Sequence, residues 1–301
     1  MVRADVVVTG GSGFIGGAVV RAFRARGLPV TVVDRLPFPE PADGVRVVTG
    51  DLRDAEVREA AVTSETAGIV HLAALTSVLK SVEQPEQTFA DNVLVTQELL
   101  ELSRKQGVPR FLLASTNAVI GDVGTATITP DLPLRPLTPY GATKAACEML
   151  LSGYSGAYGM ATCALRFTNV YGPGMSHKDS FVPRLMRAAL AGAGVKVYGD
   201  GRQRRDLVHV DDVVRAIALA WESGYSGRAI VGAGRSVSVL ELVAAARVVT
   251  GAELPVEHVP APQGEMPAVV VDVSASADTI GYRPEVSLEE GLATAWKYFA
   301  G

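Results

Sequence analysis

Short runs of β-branched and apolar residues alternate with longer stretches of helical periodicity through the first half of the chain. Asp5–Thr9, Val30–Asp34, Val45–Val48, Gly68–Leu72 and Arg110–Ala114 have the length and composition of strands. Gly13–Arg26, Asp54–Thr66 and Pro85–Gln106 carry apolar positions at helical spacing between them. Several of the strand runs are apolar throughout, as expected of strands buried on both faces, so the pattern predicts an α/β fold: a Rossmann-like, doubly wound parallel sheet. A further helix is predicted over Pro139–Tyr158 and a strand over Thr162–Phe167. Beyond Tyr171 the texture changes. Gly172-Pro173-Gly174 breaks the chain, the units shorten, and the proline-rich stretch Pro255–Pro267 is expected to end any regular pattern there. We therefore expect residues 1–171 to form one domain and residues 172–301 mainly a smaller C-terminal lobe, with crossings back to the sheet.

Composition narrows the picture. The 301 residues are 48% hydrophobic and 20% charged, within the ordinary range of globular proteins and far from disordered or coiled-coil compositions. A formal net charge of -4 gives no electrostatic footprint for nucleic acid, so no such partner is expected. Two cysteines, Cys147 and Cys163, offer neither a metal-ligand spacing nor a disulfide framework, and both are expected as buried thiols. The chain enters a strand almost at once, without a charged lead and apolar core, and no apolar run approaches the ~18 residues of a membrane helix. These features predict a soluble, cytoplasmic protein with no membrane partner.

The segment Thr9-Gly10-Gly11-Ser12-Gly13-Phe14-Ile15-Gly16 closes the first strand and opens the first helix. Its glycines suit a turn of positive φ, close backbone approach to a pyrophosphate and tight packing of helix on strand, with the helix N-terminus facing the phosphates. Asp34 ends the second strand, where a carboxylate accepts hydrogen bonds from a ribose diol and repels a 2′-phosphate; this favours NAD over NADP. Arg35 beside it pulls the other way, because a guanidinium welcomes that phosphate. Asp51-Leu52 is placed near the adenine. Leu72-Ala73-Ala74 is placed beside the pyrophosphate and nicotinamide ribose, with His71 read as structural.

Tyr140-Gly141-Ala142-Thr143-Lys144 puts a phenol and an ammonium on one helical face. Lowering a phenol from pKa ~10 toward ~7 takes about 4 kcal/mol of selective stabilisation. A cation ~4 Å away at an effective dielectric near 20 supplies about that much. The expectation is a tyrosine made acidic by its lysine.

Together with Asn92, Ser115-Thr116, Arg166 to Pro173, Tyr198 to Gly201 and Arg205 to Asp212, these motifs resemble the extended short-chain dehydrogenase/reductase family. The resemblance is to its NAD-dependent nucleotide-sugar epimerase/dehydratase branch and runs over nearly the whole chain. It implies NAD as cofactor, held by Gly10, Gly13, Phe14, Ile15, Gly16, Asp34, Asp51, Leu52, Leu72, Ala73, Ala74, Asn92, Tyr140 and Lys144. It implies Tyr140 as base, Lys144 as its electrostatic partner and Thr116 as the hydroxyl that binds the reacting oxygen. A nucleotide sugar, foremost a UDP-sugar, would be met by Thr76, Thr116, Asn117, Asn169, Val182, Tyr198 and Arg205. Read alone, Asn169 also suits a turn and Arg205 a solvated charge, whereas His209, Asp211 and Asp212 suit strand packing and helix capping.

The residues after Thr116 choose within the branch. Dehydratases of the family have an Asp-Glu pair there, and the decarboxylases keep the glutamate; this chain has Asn117-Ala118, with Asp122 the nearest carboxylate. An epimerase needs no acid at that place. The resemblance therefore implies C4 epimerisation of a UDP-hexose or UDP-hexuronic acid through a 4-keto sugar. A dehydratase or 4-ketoreductase is the alternative, and a non-catalytic NAD-sensing regulator the second. Two positions depart from the family pattern. Ala261–Glu265 lacks the arginine common before its Gly-Glu step, which implies a missing or replaced diphosphate contact. Ile120 stands where a tyrosine is usual, implying altered packing near the sugar. A homodimer is implied as well, pairing the Pro85–Gln106 and Pro139–Tyr158 helices with their symmetry mates.

Overall fold

A computed structural model describes residues 4–261 and 267–301, and the strand–helix alternation read from the sequence runs through it. The first part of the chain comprises β1 (Asp5–Thr9), α1 (Phe14–Ala25), β2 (Val30–Asp34), β3 (Val45–Thr49), α2 (Ala55–Ala61) and β4 (Thr66–His71). It continues with α3 (Val78–Glu83), α4 (Pro85–Phe89), a π-helical turn (Ala90–Leu94), α5 (Val95–Gln106), β5 (Arg110–Thr116), β6 (Thr127–Ile128), α6 (Pro139–Tyr158) and β7 (Ala161–Phe167). The later part adds β8 (Asn169–Tyr171), α7 (Phe181–Ala191), β9 (Val195–Tyr198), β10 (Arg204–His209), α8 (Val210–Ser223) and β11 (Gly227–Val231). It ends with β12 (Ser236–Ser238), α9 (Val239–Thr250), β13 (Val256–Val259), β14 (Val270–Val271), α10 (Ser274–Ile280) and α11 (Leu288–Ala300).

Among the described residues the central sheet has seven strands in the order β11-β7-β5-β4-β1-β2-β3, all parallel. Its strands send alternate side chains to opposite faces. Val7 joins Leu99, Leu100 and Leu151 of α5 and α6 on one side. Val6 and Val8 join Val19 and Phe23 of α1 and Val213 and Ile217 of α8 on the other. The edge strand β11 and the helix α8 both come after Tyr171, so the chain re-enters the sheet from its later half. The smaller lobe builds its own core from Val182, Leu185 and Met186 of α7, Val195 and Val197 of β9, Leu242 and Val243 of α9 and Leu292 of α11. Among the described residues no helix is long and apolar enough to cross a membrane.

Two local expectations are corrected and a third gains a detail. The helix expected over Asp54–Thr66 stops at Ala61, because Val62 is extended and the hydroxyls of Thr63 and Thr66 accept the backbone N–H groups of Glu65 and Thr63 in a turn. The proline-rich stretch holds β13, which pairs in parallel with β9; its prolines Pro255 and Pro260 flank the strand instead of interrupting it. The helix over Pro85–Gln106 is continuous but passes through the π turn, which brings both Asp91 and Asn92 to its buried side.

A buried ion pair links α6 to β7. Arg166 of β7 meets Glu148 of α6 side-on, Nε to Oε1 at 2.9 Å and Nη2 to Oε2 at 2.7 Å, with both side chains wholly buried. Glu148 Oε1 also accepts from Ser115 Oγ at 2.6 Å, and Arg166 Nη1 donates to the carbonyl of Pro130. Removing one partner strands the other charge in the core. We expect Glu148→Ala to lower stability by about 3–5 kcal/mol, read as a reduced urea midpoint in equilibrium unfolding.

Candidate active site

The C-terminal ends of the central strands open into a cleft of about 890 Å³ shared with the smaller lobe. That is the crevice where doubly wound sheets bind ligands. At its floor the β1–α1 turn is close to the limit of backbone approach. Gly10 has φ +70°, and a Cβ there would lie 2.8 Å from the backbone nitrogen of Ala73. A Cβ on Gly16 would lie 2.0 Å from the carbonyl oxygen of Gly10. Gly13 begins α1 without a side-chain cap, so the N–H groups of the first turn face the cleft unscreened by a side chain. Asp34 is held beside them, accepting from the backbone N–H of Ser12 and of Leu36, each at 3.0 Å.

Thr116 ends β5, its Oγ1 accepting from the N–H of Ala118 at 3.2 Å. Tyr140 enters from the first turn of α6, started by Pro139 and capped by the Thr138 hydroxyl on Gly141 N–H. The helix comes close to the β5 loop because Gly141 has no side chain; a Cβ there would lie 2.6 Å from the carbonyl oxygen of Ala118. The phenol lies near enough to the Thr116 hydroxyl for that group to favour its ionised form. Lys144, one turn on, is buried and donates from Nζ to the carbonyl of Ala114 at 3.0 Å.

The electrostatics correct the simple phenol–ammonium picture. Burial pushes the Tyr140 phenol up to about 12, only partly opposed by the Thr116 hydrogen bond. Burial also pushes the Lys144 ammonium down. Both groups are desolvated together, so the polypeptide alone keeps the phenol protonated. His71 is likewise driven down, to about 3, by burial and by the Lys144 charge, and is neutral at physiological pH. Its Nδ1 lies 2.7 Å from Thr9 Oγ1 and its Nε2 lies 3.2 Å from Thr96 Oγ1, so it is a structural link.

Most of the residues singled out in the sequence meet in this one cleft. Gly10, Gly13, Phe14, Ile15, Gly16, Asp34, Asp51, Leu52, Leu72, Ala73 and Ala74 line one end, and Thr116, Tyr140 and Lys144 its middle. Thr76, Asn169, Val182, Tyr198 and Arg205 also line it. Two asparagines do not. Asn92 lies behind the wall, where its amide accepts from Leu75 N–H at 2.8 Å and donates to the Leu75 carbonyl and to Thr143 Oγ1. Asn117 is buried in the turn after β5 and is absent from the lining. Asp122 is exposed and accepts from Gly124 N–H, away from the cleft. Ile120 packs with Val119, Ile128 and Val271 in a separate core cluster, so it does not shape the cleft wall. Of the Ala261–Glu265 segment, residues 262–265 lie outside the described residues.

Sequence reasoning missed Lys178, Arg184 and Lys196, which line the cleft from α7, β9 and the loop before α7. Arg184 is engaged by Asp179 through two hydrogen bonds of 2.8 and 2.7 Å. Burial pushes the Lys178 ammonium down. Only their spacing about α7 hints at them in the sequence. Among the described residues the carboxylates that line the cleft are Asp34, Asp51 and Asp91, all grouped around the β2 end.

A model of the NAD-dependent epimerase/dehydratase family matches residues 6–233. The chain belongs to that family. It is 30% identical over 97% of its length to a UDP-glucose 4-epimerase of Corynebacterium glutamicum, covering 95% of that protein. It is 33% identical to a dTDP-glucose 4,6-dehydratase of Streptomyces griseus, over 97% of this chain and 93% of that one. Among solved structures it superposes on MoeE5 in complex with UDP-glucuronic acid and NAD with a TM-score of 0.91 and 37% identity, covering 98% of this chain and 99% of that one. The family's dinucleotide fits the residues present: the turn leaves no room for a Cβ at Gly10 or Gly16, and an uncapped helix start faces the space beside Asp34. We expect Gly16→Ala to weaken NAD binding at least about a hundredfold by calorimetry, because the opposing atom is backbone and cannot swing aside.

Proposed function

We propose that this protein is an NAD-dependent epimerase that inverts C4 of a UDP-hexose or UDP-hexuronic acid. The observation that carries this reading is the distribution of carboxylates. A 4,6-dehydratase needs an acid and a base beside the catalytic hydroxyl, yet among the described residues the cleft carboxylates all lie at the β2 end. Asn117 and Ala118 follow Thr116, and Asp122 points elsewhere. The similarity to dTDP-glucose dehydratases covers the shared first oxidation and favours no elimination step here.

NAD, when bound by the β1–α1 turn and Asp34, supplies a hydride acceptor that gives the hydride back and a positive charge near the phenol. Tyr140 Oη and Thr116 Oγ1, both lining the middle of the cleft, converge on the C4 hydroxyl. Thr116 orients that oxygen, and Tyr140 removes its proton and later returns it. Lys144, anchored on the Ala114 carbonyl, lies one helical turn from the phenol, where an ammonium favours the phenolate. Because burial alone holds the phenol protonated, proton removal is confined to the loaded site. Asn169, Tyr198, Lys178, Lys196 and Arg205 line the end of the cleft offered to the nucleotide diphosphate, where cations and donors suit phosphate oxygens. Both ligand classes are cytoplasmic metabolites, which is where we place the reaction.

The helical layer on one side of the sheet also carries an apolar surface: Leu79, Val82, Phe89, Leu94, Met149 and Tyr158 of α3, α4, the π turn and α6 are all exposed. We assign that surface to a second copy of the chain, in an isologous pair of helices from each protomer. Phe89→Asp with Leu94→Asp should convert the sedimenting species from dimer to monomer.

The reaction is tested by incubating the protein with NAD and UDP-, dTDP- and GDP-sugars in deuterated water and following products by NMR. A C4 epimer of a UDP-sugar carrying no deuterium at C4 is expected. Deuterium at C5 with loss of water would establish a lyase, and net oxidation of NADPH added in a parallel incubation a reductase. Tyr140→Phe should lower turnover by at least about a thousandfold while NAD still binds.

A further inference from the structure

Arg35 follows Asp34 directly and lines the same end of the cleft, where a guanidinium would ordinarily attract a dinucleotide's 2′-phosphate. In this fold the guanidinium is already engaged. Its Nη2 donates to Asp51 Oδ1 and to Asp91 Oδ1, each at 3.1 Å, and its Nε lies 3.1 Å from Asp51 Oδ2. Arg53 closes the cluster, with Nη2 2.7 Å from Asp51 Oδ2 and Nε 3.5 Å from Asp91 Oδ1. The Asp91 side chain is only 7% exposed, whereas that of Arg35 is 50% exposed, so the carboxylate is the fixed member and the arginine the one drawn to it. Asp91 reaches this position because the π turn sends it and Asn92 to the buried side together.

Resting on the reading of this end of the cleft as the adenosine site, we propose that Asp91, with Asp51, determines the cofactor by holding Arg35 away from the 2′ position. Asp34, Asp51 and Asp91 then outnumber Arg35 and Arg53, and a phosphate bringing nearly two further negative charges meets net repulsion. A ribose 2′-hydroxyl meets the Asp34 carboxylate as a ready acceptor. Preference for NAD thus comes from two sources: the carboxylate that faces the ribose, and a buried carboxylate on a different element that occupies the guanidinium next to it in sequence.

The test is a double-mutant cycle on the full-length protein, with Kd for NAD and for NADP measured by calorimetry for wild type, Asp91→Asn, Arg35→Gln and the double variant. Asp91→Asn keeps the shape and loosens the guanidinium, which Asp51 then holds alone. It should narrow the NAD-to-NADP affinity ratio about tenfold, chiefly by tightening NADP, and Arg35→Gln in the same chain should abolish that gain. Raising the salt concentration should shrink the gain, since it is electrostatic. If thermal melting shows Asp91→Asn unfolded, Asp51→Asn releases the same arginine and is read in the same way. An unchanged ratio on releasing Arg35, or a gain that survives its removal, overturns the inference while leaving NAD binding intact. Wild-type protein that binds neither dinucleotide overturns the underlying reading of the cleft instead.

Discussion

The requirement that buried polar groups find partners holds the catalytic helix in register with the dinucleotide turn. Thr9 at the end of β1, His71 at the end of β4, Thr96 at the start of α5 and Asn92 in the π turn form one hydrogen-bonded chain. Asn92 then ties the loop at Leu75 to Thr143, whose hydroxyl donates to the Tyr140 carbonyl. Strand ends from the glycine-rich side and the helix that carries Tyr140 and Lys144 are thereby joined through the buried side chains of Thr9, His71, Thr96, Asn92 and Thr143. Loss of any link leaves a donor or acceptor unsatisfied in the core, at a cost of about 1–3 kcal/mol.

Against that rigid frame, the reactive pair is poised by opposed penalties. Tyr140 is costly to ionise because it is buried, and Lys144 is costly to keep charged for the same reason. Each charge would relieve the other. On the proposed reading, the phenol stays protonated until the positive charge of the cofactor arrives, which links proton transfer to cofactor loading.

Much of this was legible in the sequence, and the reasons for what was not are physical. The glycines at Gly10, Gly13 and Gly16 answer a local steric demand, and so does the spacing of Tyr140 and Lys144 on one helix; both show in a single chain. The parallel sheet announced itself through strands that are apolar on both faces. Asn92 and Asn117 carried the right residue types, yet their positions depend on how the π turn and the loop after Thr116 pack, which no local pattern encodes. Arg35 appeared ambiguous for the same reason: its partners Asp51 and Asp91 are brought to it by tertiary folding. The strand between Pro255 and Pro260 was hidden because proline marks the ends of an edge strand as readily as it breaks an interior one. Burial of the phenol, finally, reversed the sign of the shift expected from its lysine.

The return of the chain to the central sheet after the smaller lobe has begun bears on biogenesis. β11 covers the outer side of β7, and Trp221 at the end of α8 packs edge-on against Phe23 of α1. A nascent polypeptide that has emerged only as far as Tyr171 has both surfaces bare, however complete its dinucleotide half looks on paper. Vectorial synthesis must deliver Val231 before the sheet gains its last strand, so the sheet cannot be completed before much of the later half has been made.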